Sequence, residues 1–188
     1  MTQFDESHLR FEFGESWTVL RYEDSSGFRS ISVLSGELSD GNTRRMQGTK
    51  AVDFVGVREG VLFLIEVKNF EGHERETRVR LEREFDLEIG LKVRDSLAGL
   101  VGAARSGTLA EPLAKAIAKV ANDGQRVHVV AWVERDDPPE RKRWMSIGDD
   151  PVEDRIKKKL RWLKPKVLLC NREHSGLVDV VVSRMARA

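Results

Sequence analysis

The stretch from Gly48 to Phe70, GTKAVDFVGVREGVLFLIEVKNF, limits the possible folds of this chain more than any other. Two short apolar runs, Ala51–Val57 and Val61–Val67, are joined by Arg58-Glu59-Gly60. Both runs are β-branched or aromatic, and a glycine marks the turn, which predicts a β-hairpin. Three charged residues, Asp53, Glu66 and Lys68, interrupt the most apolar part of the chain. A buried charge is costly unless it is paired or binds a metal, so these three need a reason to be there.

Side chains alternate faces along a strand, so Glu66 and Lys68 share one face. If Glu59-Gly60 is a two-residue loop, Arg58 pairs with Val61, and Asp53 falls opposite Glu66 on that same face. Directly opposed side chains have Cβ atoms roughly 5 Å apart. Two carboxylates at that distance repel each other unless a divalent cation sits between them. Magnesium suits such a pair, being a hard ion held by one or two carboxylates with water and phosphate oxygens. A three-residue turn without a bulge would instead put Asp53 on the opposite face. The plain structural alternative is an ion-paired strand end, with Glu66 paired to Lys68 and Asp53 to an arginine.

Asp53, a hairpin and then Glu66-Val67-Lys68 resemble the PD-(D/E)XK nuclease superfamily, the restriction-endonuclease-like fold. The specific match covers the hairpin, and the order of elements agrees over roughly Trp17 to Asn171. Val52 stands where the motif's proline would be. The resemblance implies a metal-dependent nuclease hydrolysing phosphodiester bonds of nucleic acid, with DNA as the first expectation. Asp53 and Glu66 would hold Mg²⁺ or Mn²⁺, the main-chain carbonyl of Val67 would be a further ligand, and Lys68 would act on the attacking water. Relatives often carry one more acid on an early helix; Glu15, Glu23 and Asp24 are the candidates. Restriction-type enzymes are often dimers, so a homodimer or larger complex is also an expectation from the resemblance. Two other readings stay open. One is an inactive module of the same fold that binds nucleic acid without cutting it. The other is a protein-interaction partner in a defence or repair complex.

The chain has 188 residues, 40% hydrophobic and 34% charged, which suits a single domain spanning 1–188 with a full core. No apolar run approaches a membrane span and no signal pattern opens the chain, so no membrane partner and a cytoplasmic location are expected. Cys170 is the single cysteine, which excludes an intrachain disulfide and a Cys-rich zinc site. A net charge of +1 gives no global pull toward nucleic acid, so such binding must use local basic patches. Those patches are Arg75, Arg78, Arg80 and Arg83 after the hairpin, Arg141-Lys142-Arg143, and the Lys157–Lys166 segment. Each of them alone reads as a solvated face.

Along the chain, Met1–Ser7 reads as a weakly held start and His8–Phe13 as a half-buried strand. Trp17–Tyr22 is another strand. Ser25-Ser26-Gly27 caps a short helix through Phe28, Ile31 and Leu34, or makes a turn. Ser35–Gly48 is a loop, and Lys50 lies at the strand edge or contacts phosphate. Asn69–Glu84 is a charged segment holding His73, which is expected to be exposed. Phe85–Ala104 is a helix whose stripe is Leu87, Leu91, Leu97, Leu100 and Val101, widened by Ile89, Val93 and Ala98. Lys92, Arg94 and Asp95 form a charged patch along it, and Gly99 and Gly102 suggest close packing on the sheet. Leu109–Ala121 is a second helix. Arg126–Val133 is a buried strand with His128 as a satisfied core histidine. Pro151–Leu163 is a helix, and Lys166–Cys170 and Leu177–Val182 are strands. The sum is an α/β (α+β) fold: a mixed central sheet with helices on both faces and a restriction-endonuclease-like core.

Overall fold

The structure, a computed structural model, describes residues 1–32, 49–72, 84–122, 124, 127–135 and 151–185. The hairpin forms from β4 (Phe54–Arg58) and β5 (Val61–Asn69), antiparallel with Arg58 opposite Val61. Its two turn residues both have positive φ, 51° at Glu59 and 77° at Gly60. That is the geometry whose twist matches the twist of the flanking strands, and glycine adopts it without steric cost.

The hairpin is the middle of a five-stranded mixed sheet. Its order is β3 (Trp17–Arg21), β4, β5, β6 (Val127–Glu134) and β7 (Lys166–Cys170). β3–β4 and β4–β5 pair antiparallel, while β6 and β7 continue parallel to β5. β5 and β6 are therefore covered on both faces, which is why both read as near-continuous apolar runs. The parallel β5–β6 pair needs a crossover. It is made by α2 (Phe85–Arg105) and α3 (Glu111–Asn122).

The mixed α/β class is as expected, but one detail of the layering differs. On one face Val55, Val57, Leu62, Leu64 and Val129 pack against Ile89 and Val93 of α2, Leu113 and Ile117 of α3, and Ile156 of α4 (Pro151–Lys159). Among the described residues the other face is covered by a second sheet rather than by helices. That sheet is antiparallel, in the order β1 (Thr2–Glu6), β2 (Leu9–Phe13), β8 (Val180–Arg184). Leu9, Phe11, Phe13 and Val180 press onto Phe54, Phe63, Ile65 and Trp132. The contact is largely aromatic, with Phe11 5.3 Å from Phe54 and 5.2 Å from Trp132 between ring centroids.

This second sheet corrects the reading of the chain's start. Residues 2–6 are a paired strand, in register from Thr2 opposite Phe13 to Glu6 opposite Leu9. Phe4 reaches Phe54 at 5.3 Å, and Arg10 grips Asp5 through two bonds of 2.9 and 3.2 Å. The strand is short and polar, and its tertiary contacts hold it in place. Near the end of the chain, the strand expected from Leu177 begins at Val180. A 3₁₀ turn over Arg172–Leu177 comes first.

Helix α2 spans the expected residues but is rotated from the expected setting. Phe85, Ile89, Val93, Leu97 and Leu100 face the core, while Leu87, Ala98 and Val101 are exposed and Leu91 is half-buried. Gly99 packs against Tyr22 and α1 (Ser26–Ser32) rather than the sheet, because a Cβ there would collide with Tyr22 Oη. Gly102 has open space above it. The α4 helix stops at Lys159 and the chain turns through 160–163. Leu34, His73, the arginines of 75–83 and the basic run of 141–143 lie outside the described residues.

Candidate metal-binding and catalytic site

Asp53 precedes β4 and is fixed by its neighbours. The Lys50 N–H donates to Asp95 Oδ2 at 3.0 Å, and the Val52 N–H to Ser96 Oγ at 3.0 Å. The Tyr22 N–H donates to the Asp53 carbonyl at 2.9 Å. Two consecutive residues of α2 thus hold the entry to β4 from one side, and the end of β3 holds it from the other. The last ladder pair is Phe54 with Ile65, so Asp53 comes next, opposite Glu66. Its side chain closes that end of the hairpin: Asp53 Oδ2 accepts the Val67 N–H at 2.7 Å.

Alternation puts Asp53 on the face of Val55 and Val57, and Glu66 on the face of Leu62 and Leu64, which is one and the same face under α2. The Val67 side chain points to the other layer. Glu66 is 1% exposed. Its Oε1 lies 2.9 Å from Lys68 Nζ and 2.7 Å from Lys92 Nζ, and its Oε2 lies 2.9 Å from Lys92 Nζ. Lys68 also reaches Glu88 Oε1 at 3.0 Å. The expected Glu66–Lys68 pair therefore forms, within a larger set. Asp53 accepts a main-chain N–H, and among the described residues no arginine is paired with it.

The electrostatics follow from this packing. Burial, aided by the nearby Asp53 charge, pushes the Glu66 carboxyl up to about 7, against the pull of Lys92 and Lys68. Burial acts to lower the Lys68 ammonium, but Glu66 and Glu88 outweigh it and raise Lys68 above its ordinary value. Lys68 is thus a protonated donor at neutral pH, suited to hydrogen-bonding water or phosphate oxygen.

Asp53 and Glu66 fit a hard divalent cation, because they offer carboxylate oxygens across one hairpin on one face. Asp53 Oδ1 is the oxygen that Val67 does not use. Both oxygens of Glu66 lie against ammonium groups, so one lysine has to yield to an incoming cation. No third acid converges: among the described residues no group of three His, Cys, Asp or Glu side chains is placed to hold a metal. Glu15 precedes Trp17, which pairs with Arg58 at the turn end of the hairpin, so it is about 17 Å or more from Asp53. Glu23 and Asp24 lie at the Asp53 end, in a 3₁₀ turn after Arg21, and both are exposed.

The sequence reading did not find Lys92 and Glu88 as members of this cluster, or Asp95 and Ser96 as its supports. Their spacing was the available signal: Glu88, Lys92 and Asp95 recur at i, i+4 and i+7, one helical face. The expected charged patch divides, with Lys92 turned to Glu66, Asp95 to the Lys50 N–H, and Arg94 outward and paired with Asp95.

Other residues singled out by the sequence lie apart. His128 is half-buried, edge-on to Phe63 at 4.7 Å. Burial pushes the Cys170 thiol up to about 12, which leaves it unreactive. At the end of α4 and beyond it, Lys158, Arg161, Lys164 and Lys166 are exposed on either side of Trp162 in the chain, and Trp162 is itself 57% exposed. Lys157 is paired with Glu153. Among the described residues no helix is long and apolar enough to cross a membrane.

No family model matches this chain, and no solved structure matches it. Over 150 residues it is 29% identical to a cysteine–tRNA ligase of Neisseria meningitidis serogroup A / serotype 4A. That alignment takes 71% of this chain and 21% of the relative, so the chain spans about a fifth of that protein's length and is similar to a part of it.

Proposed function

We propose that the protein is a metal-dependent nuclease of the PD-(D/E)XK kind, hydrolysing phosphodiester bonds of nucleic acid, with DNA as the first substrate to test. One observation carries this reading: Asp53 and Glu66 meet across the β4–β5 hairpin on one face, with the protonated amine of Lys68 2.9 Å from Glu66. Asp53, Glu66 and the Val67 carbonyl would hold Mg²⁺ or Mn²⁺. When bound, the ion neutralises phosphate charge and lowers the pKa of a bound water. Lys68 donates hydrogen bonds to the attacking water or to the phosphate oxygens as charge builds on them. The exposed bases Lys158, Arg161, Lys164 and Lys166 grip the sugar–phosphate backbone in a sequence-blind, salt-sensitive manner. Trp162 among them gives a face for base stacking. A cytoplasmic location and a homodimer or larger complex belong to the same reading.

The second reading is a module of this fold that binds nucleic acid without cutting it. It is favoured by the ammonium groups against both oxygens of Glu66, which balance the charge of that carboxylate without a metal. Labelled DNA and RNA, single- and double-stranded, decide between the two when incubated in Mg²⁺ and in Mn²⁺ beside Asp53→Ala and Lys68→Ala. Transfer RNA belongs in the panel, because the partial relative is named for a tRNA substrate. The nuclease reading predicts cleavage by the wild type in at least one metal, reduced by about 10³-fold or more in both variants. Binding without cleavage in every metal selects the second reading.

A further inference from the structure

Lys92 comes from α2, outside the hairpin that carries Asp53, Glu66 and Lys68, yet it is the group closest to Glu66. Its Nζ is 2.7 Å from Oε1 and 2.9 Å from Oε2, and the side chain is 13% exposed. Lys68 divides itself between Glu66 and Glu88, whereas Lys92 sits squarely on the carboxylate. A cation centred on a carboxylate beside a second carboxylate is the position a divalent metal would take.

We infer that Lys92 is the resting counterion of this site, and that a divalent cation binds by displacing it from Glu66. The inference rests on the reading that Asp53 and Glu66 hold the metal, and it adds how the site exchanges one cation for another. Charge balance favours exchange over simple addition. With all groups ionised, Asp53, Glu66 and Glu88 against Lys68 and Lys92 leave one negative charge. A divalent ion added to that set makes it positive by one charge in a buried place. If Lys92 withdraws at the same time, the set becomes neutral, and buried sites favour paired charge. The helix offers the withdrawn ammonium somewhere to go. Asp95, three residues after Lys92 on the same helical face and outside that set, is the carboxylate that receives it. A lysine stem is long enough to swing between such partners without movement of the backbone.

The test is metal binding in the absence of nucleic acid. Mn²⁺ affinity is measured by calorimetry at pH 8 for wild type, Lys92→Met, Lys92→Arg and Asp53→Ala, with circular dichroism as the check on folding. The expected result is that Lys92→Met, which keeps the stem and removes the charge, binds Mn²⁺ about tenfold tighter or more. Lys92→Arg, whose forked guanidinium holds a carboxylate more firmly, binds more weakly than wild type. Asp53→Ala loses the site. Should Lys92→Met not fold, Mg²⁺ titration of the wild type followed by NMR of the lysine Nζ groups gives the same answer. The Lys92 signal should then lose its ion pair as metal is added while that of Lys68 stays in place. Wild-type binding that Asp53→Ala abolishes but Lys92→Met leaves equal or weaker overturns the exchange and spares the metal site. Absence of Mn²⁺ binding in every protein overturns both.

Discussion

Glu66 is the residue on which the site turns. It is a carboxylate buried inside a central strand, held up to about 7 chiefly by burial. In the unfolded chain it titrates near its ordinary value of 4.5. The folded state therefore binds the proton more tightly. The stabilisation this gives is complete below pH 4.5 and is lost as pH rises through 7. Its size is on the order of 3 kcal/mol for a shift of this kind. Denaturant titrations of wild type and Glu66→Gln between pH 4.5 and 8 should converge in one direction. The glutamine variant gains stability relative to wild type as pH rises, and a difference that stays flat with pH would contradict the assignment. Metal affinity should run the other way, increasing from pH 6 to pH 8 as Glu66 ionises, and calorimetry at those two values checks it. The meeting of Asp53, Glu66 and Lys68 on one face was legible in the sequence, because strand parity and a two-residue turn leave no other register.

At the scale of single elements, α2 matters most, since it supplies Glu88, Lys92, Asp95 and Ser96 to the site. Its extent could be read from the sequence, but its rotation could not. Leucines at 87 and 91 and a valine at 101 suggest a stripe that the protein leaves partly in solvent. The helix turns instead to bring Ser96 to the Val52 N–H and Gly99 to Tyr22, polar and small contacts that carry no hydrophobic signal. Two substitutions separate the faces. Ile89→Ala should cost about 2–5 kcal/mol by chemical denaturation, while Leu87→Ala, half exposed, should stay within about 0.5 kcal/mol. Ser96→Ala removes the acceptor for the Val52 N–H and should cost about 1–3 kcal/mol. It should also weaken Mn²⁺ binding, because the support of Asp53 is lost. Unchanged metal affinity in that variant would show that Asp53 keeps its place without Ser96. The first strand was missed for a related reason. Thr2–Glu6 is a mostly polar strand held by pairing with its sequence neighbour β2 and by Arg10 and Arg21, so it carries little alternating apolar signal.

At the scale of the whole molecule, the fold places the site where the sheet changes from antiparallel to parallel. β5 pairs with β4 in one sense and with β6 in the other, and the carboxyl half of β5 carries Glu66 and Lys68. α2 roofs this region, and α4 packs along α2 with Gly90 close against Lys159. The exposed bases and Trp162 lie at the end of α4 and in the turn after it, on the helix that packs against α2. Trp162→Ala should weaken binding of single-stranded oligonucleotides by about 1–3 kcal/mol with little change in salt dependence. Lys158→Ala should lower the salt slope by about one. Fluorescence anisotropy across a salt series, in EDTA so that no cleavage intervenes, checks both, and equal affinity in all three proteins would remove this surface from the account. The most direct test of the central claim is diffraction from crystals grown with Mn²⁺, using its anomalous signal. The account predicts a peak about 2 Å from carboxylate oxygens of both Asp53 and Glu66, with Lys92 drawn back. A site saturated in Mn²⁺ that leaves those two carboxylates bare, with Lys92 still on Glu66, would contradict it.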